Sequence, residues 1–96
     1  MDKPAGQWIH YSELKPFATR GPLDQEWDSY RREAGRLIAE GREGQFVLIH
    51  GSDILGFFDN ENEAFADGYR RFLLAKQPFL VHQVQTYERL LRIRVA

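Results

Sequence analysis

The chain reads as α+β, a small single domain in the order α-β-β-α-β, with a three- to five-stranded mixed or antiparallel sheet covered by two helices. Three observations predict it. An apolar stripe at helical spacing links Leu23, Trp27, Tyr30, Ala34 and Leu37. A short hairpin from Phe46 to Phe58 is apolar on both sides. A densely capped second helix follows it at once.

Residues 1–21 form an irregular N-terminal segment, and residues 22–96 a single α+β domain. The first segment holds Pro4, Gly6, Pro16 and Gly21, which break regular structure. Within it, Trp8-Ile9-His10-Tyr11 reads either as an edge strand or as an aromatic clasp on the core. The first helix is expected from residue 22 or 23 to residue 40. Pro22 suits the first helical position, and Asp24 and Glu26 suit the positive end of the helix dipole. Gly41 supplies a C-terminal cap, and Asp28 with Arg32 is the expected pair on the wet face.

The hairpin turns at Gly51-Ser52-Asp53. Strict alternation puts Val47, Ile49, Leu55 and Phe57 on one face, and Phe46, Leu48, Ile54 and Phe58 on the other. A sheet with one wet face alternates apolar and polar residues; this one does not, so each face needs a cover. Gly56 falls opposite Leu48 and leaves room for a close approach by another backbone or a ligand. The second helix begins at Asp59-Asn60-Glu61-Asn62-Glu63, with Asn60 as cap. Its apolar face is expected to comprise Phe65, Gly68, Tyr69, Phe72 and Leu73, with Arg70 and Arg71 facing solvent. Pro78 ends the element and opens a strand over residues 79–87. Leu91, Ile93 and Val95 alternate with Arg92 and Arg94 as an amphipathic edge strand. A crossover helix covers one face of the hairpin. The first helix covers the other face or shares the same one; in the second case a second subunit or another protein must cover what is left.

With no cysteine, the chain has no disulfides, no cysteine-ligated metal and no thiol chemistry. The start lacks a secretion signal and no apolar run is long enough to span a membrane, so the expected location is cytoplasmic. Charge is unevenly spread. Residues 1–67 carry seven basic and thirteen acidic side chains, a net −6; residues 68–96 carry six basic and one acidic, a net +5. Such a split suits an acidic partner, or one half pairing with the other.

Leu37-Ile38-Ala39-Glu40-Gly41, Gly44-Gln45-Phe46-Val47-Leu48-Ile49, Gly56, Asn62-Glu63-Ala64, Gly68 and Pro78-Phe79-Leu80-Val81 cover about half the chain. In these residues it resembles an uncharacterised family of small bacterial domains, a resemblance that implies a fold and no activity. A hairpin leading into a capped Glu63-Ala64 start is also similar to HicB-type antitoxin domains, which implies a protein partner.

Candidate chemistry is sparse. His50, Ser52 and Asp53 sit too close in one turn to align a nucleophile, base and orienter. His50 and His82, with His10, invite a zinc reading, but lack helical ligand spacing and a supporting carboxylate pattern. Asp59, Glu61, Glu63 and Asp67 are accounted for by capping and dipole complementarity. The best binding candidate is the basic set Arg70, Arg71, Arg89, Arg92 and Arg94, with Tyr87 beside it for stacking. The expected function is a non-enzymatic protein-interaction module, self-associating or docking onto a partner protein, with no cofactor, no metal and no membrane. The alternative is a nucleic-acid-binding accessory protein using the arginine patch.

Overall fold

The structure, a computed structural model, describes residues 8–17 and 21–89. Strand β1 (Trp8–His10) leads through a 3-10 turn (Tyr11–Glu13) toward helix α1 (Asp24–Ala39). Strands β2 (Phe46–His50) and β3 (Asp53–Phe58), helix α2 (Glu61–Phe72), and strands β4 (Leu80–Gln83) and β5 (Tyr87–Arg89) follow. The sequence order is as expected, and the strands form two antiparallel sheets: β3-β2-β4 and β1-β5.

Helix α1 turns the expected stripe inward. Trp27, Tyr30, Ala34 and Leu37 are buried and pack with Val47, Ile49 and Val84. Gly41 takes a φ of 85°, the left-handed conformation that a helix end favours in glycine. On the wet face Asp28 pairs with Arg31 at 2.8 Å and not with Arg32, which instead reaches Ser29 Oγ at 3.4 Å. Both spacings place side chains within reach on a helix, so local rotamers decide between them.

The hairpin pairs Leu48 with Gly56, the expected register, and then slips. Ile49 pairs with Ile54, leaving Leu55 without a partner. This bulge changes which side chains share a face. Ile54 joins Val47, Ile49 and Phe57 against α1 instead of lying with Phe46 and Leu48. The space over Gly56 is bounded by the Phe58 ring, 3.4 Å from where a Cβ would stand.

Each helix covers one face of the three-stranded sheet. Val47 and Ile49 pack under α1. Leu48 is fully buried outside that cluster, and His50, on the same side of β2, stacks on Phe72 of α2 at 4.4 Å. Of the two arrangements open from sequence, the structure has the one in which the hairpin needs no outside cover.

Two further features differ from expectation. The strand expected over residues 79–87 is two strands, β4 and β5, separated at residues 84–86. Val84 still exchanges backbone bonds with Gln45 and Gly44 (2.8 Å each), after which β5 leaves to pair with β1. Residues 8–17 are both strand and clasp. Trp8–His10 pairs with β5, Tyr11 lies over Gly35, and Phe17 stacks on Trp27 at 5.1 Å. The indole of Trp27 donates to the Lys15 carbonyl at 2.8 Å. The edge strand expected around Leu91, Ile93 and Val95 lies outside the described residues.

Candidate functional site

Among the described residues, three of the four exposed large hydrophobic side chains, Tyr69, Leu73 and Leu74, lie on α2 or directly after it. The helix starts where Asn60 caps it, its side chain accepting from the Glu63 amide at 2.9 Å. It buries only Ala64 and Gly68. Phe79 presses on Gly68 so closely that any Cβ there would overlap the ring. That contact fixes the rotation of α2. Phe65 and Phe72 become half-buried, and Tyr69 and Leu73, expected on the apolar inner face, turn outward at 52% and 61% exposure. Leu74 follows at 98%. Behind them stands an aromatic cluster. Tyr69 meets Phe79 edge-on at 5.4 Å, and Phe65 meets Tyr69 at 6.2 Å and Phe79 at 6.1 Å. Tyr69 and Leu73, one helical turn apart, adjoin on the outer surface, and adjoining exposed apolar side chains mark an interaction surface more often than scattered ones do.

The arginine set divides. Arg70 and Arg71 are exposed on α2, and both bond Asp67, Arg71 at 2.7 Å. Hydrogen bonds from Arg71 and then Arg70 hold the Asp67 carboxyl below the usual carboxylate range. Arg89 ends β5, with its backbone paired to Trp8. That strand lies on the α1 side of the sheet, because its neighbour Glu88 bonds Tyr30 of α1. Arg70 and Arg71 therefore stand across the sheet from the Arg89 backbone. Arg92 and Arg94 lie outside the described residues.

The histidines are dispersed. His10 Nδ1 bonds Ser12 Oγ at 2.7 Å, and His50 Nδ1 bonds the Pro78 carbonyl at 2.9 Å. His82 faces α1, opposite Val47 across the strands, so it lies on the other side of the sheet from His50. No group of three metal-capable side chains converges among the described residues. Of the carboxylates near α2, Asp59 accepts from Gln45 at 3.3 Å and Asp67 is ion-paired.

Sequence reasoning missed a buried polar cluster. Glu88, 8% exposed, receives His82 Nε2 at 2.9 and 3.0 Å and the Tyr30 hydroxyl at 3.2 Å. His82 is boxed by Tyr30 (4.5 Å) and Trp27 (5.2 Å). Burial first, and the Glu88 charge second, push the Tyr30 phenol well above its ordinary value. The cluster pins β5, and β1 with it, to the main core. Tyr30 lies far along the chain from His82 and Glu88, which sit six residues apart on separate strands; the one local signal is a lone acid, Glu88, in an otherwise basic C-terminal third. A second missed element secures the hairpin turn. Buried Glu26 accepts from the Gly51 amide at 2.6 Å, and Ser29 donates to the Gly51 carbonyl at 2.9 Å.

No protein-family model, curated protein or solved structure matches the chain. Fold and surface define a small α+β single domain in which, among the described residues, no helix is long and apolar enough to cross a membrane.

Proposed function

We propose that the chain is a non-enzymatic protein-interaction module that docks through the outer face of α2. The observation that carries this reading is the exposed trio Tyr69, Leu73 and Leu74, backed by the aromatic cluster of Phe65, Phe72 and Phe79. Water-exposed leucine and tyrosine on one outward surface gain free energy when covered, at roughly 25 cal/mol per Å² of apolar area. Both hairpin faces are sheltered by the chain's own helices. Arg70 and Arg71 on α2 and Lys76 just after it are exposed basic side chains. An acidic rim on the occupant would complement them. The capped Asn62-Glu63-Ala64 start, similar to HicB-type antitoxin domains, points to a protein partner as well.

A photo-crosslinking residue placed at position 69 or 73, and separately at exposed position 40 just after α1, tests the reading in living cells. Protein adducts concentrated at 69 and 73 support it. Adducts equally abundant at position 40, or absent from 69 and 73, overturn it.

A further inference from the structure

We infer that the outer face of α2 packs antiparallel against α2 of a second copy of this chain, about a two-fold axis. This rests on the reading that α2 is the docking surface and names its occupant. The inference comes from how that face complements itself in size and in charge.

Asn62, Ala66, Tyr69 and Leu73 are all exposed and follow one another at steps of four, three and four. That spacing lines them up along the outward side of the helix, opposite buried Ala64 and Gly68. Place a second α2 antiparallel across this stripe, with the axis passing between Ala66 and Tyr69. Each Ala66 then faces the Tyr69 of the other copy, so the smallest side chain of the stripe receives the largest, twice. One flank of the stripe carries Glu63 and Arg70, two turns apart and both exposed. In the same arrangement Glu63 of each copy meets Arg70 of the other, giving two symmetric opposite-charge pairs. A two-fold axis requires this reciprocity: if residue i meets j, then j meets i. Asp67 keeps its bond from Arg71 when Arg70 turns outward. The other flank presents Phe65 and Phe72 from both copies, half-buried already and covered further on pairing.

Helix α2 has 12 residues and is about 18 Å long. A contact of that length buries less than the roughly 1,200 Å² of a standard stable interface. The dimer is therefore weak and concentration-dependent, formed and released readily.

Sedimentation equilibrium of the full chain over a wide concentration range tests this. The expected result is a reversible monomer–dimer equilibrium. Glu63→Arg or Arg70→Glu alone turns both symmetric pairs into like charges and weakens association by at least about tenfold. An equimolar mixture of the two single variants regains association as a heterodimer, because both pairs then carry opposite charges again. A loss of fold does not produce that rescue, and circular dichroism checks the helix in each variant. Ala66→Arg, which fills the notch that takes Tyr69, abolishes association without altering either charge pair. A wild-type chain that stays monomeric at its solubility limit overturns the inference, as does a mixture no tighter than its components. If crosslinks from positions 69 and 73 run to other proteins while the chain stays monomeric, the self-pairing fails and the docking reading stands. If neither adducts nor dimers form, both fail.

Discussion

Helices α1 and α2 cover opposite faces of one three-stranded sheet, yet α1 buries Trp27, Tyr30, Ala34 and Leu37 where α2 buries only Ala64 and Gly68. The α1 side also holds the buried polar groups Glu26, Ser29 and Glu88, each bonded to another element. It is layered further by β1, the 3-10 turn and β5. The α2 side has no such outer layer among the described residues, and its large side chains sit at the rim with Tyr69 and Leu73 turned out. The contrast teaches that a small domain can concentrate cohesion on one side of a sheet and keep the other side thin enough to present apolar surface.

The largest effect that separates the two sides is expected from Tyr30→Ala. Tyr30 is fully buried at the centre of the α1 cluster. Emptying that volume costs about 3–5 kcal/mol, a large share of the stability of a domain this size. Chemical denaturation measures it; a cost no greater than that of Leu73→Ser on the exposed side would mean the core is not where these contacts place it. Gly68→Ala comes next. It forces the Phe79 ring off the helix and costs about 1–3 kcal/mol. An unchanged midpoint would show that α2 already stands off the sheet, sharpening the contrast between a tight side and a loose one.

The smallest effect is in the pH dependence of the α1 side. The folded Tyr30 phenol titrates above its unfolded value. Its protonated form therefore contributes stability that is complete below the unfolded value of about 10 and is lost as pH rises through the folded value. Tyr30→Phe should remove this alkaline loss. At neutral pH it should cost only about 1 kcal/mol, because Glu88 keeps its His82 partner. Denaturation curves at neutral and alkaline pH, compared between the two proteins, give the answer. Parallel alkaline losses would assign the titration to another group.

Much of the fold was legible because its determinants are local. The stripe ending at Leu37, the left-handed Gly41 and the Asn60 cap each involve residues within a turn or two of one another. The pairing of Leu48 with Gly56 follows from a short turn. The misreadings came where distant contacts decide. Nothing near Leu55 announces a bulge, and the slip becomes intelligible only once Ile54 is seen packed against the α1 cluster. The inward or outward sense of Tyr69 and Leu73 depends on Phe79 lodging against Gly68, eleven residues on. The break between β4 and β5 reflects the pull of β1, more than seventy residues away in sequence. Charge selects the arginine set by position along the chain, and the structure describes the side chains of only Arg70 and Arg71 within it. In the sequence, Tyr69 and Leu73 read as core because large apolar side chains at helical spacing usually face one.

The pairing of Trp8 with Arg89 has a practical consequence. Strands β1 and β5 lie side by side on the side of the molecule held by α1. A label or surface tether attached to β1 starts from that side, with the three-stranded sheet between it and the exposed leucines. Immobilised by this handle, the protein would offer its apolar helix to the surrounding solution.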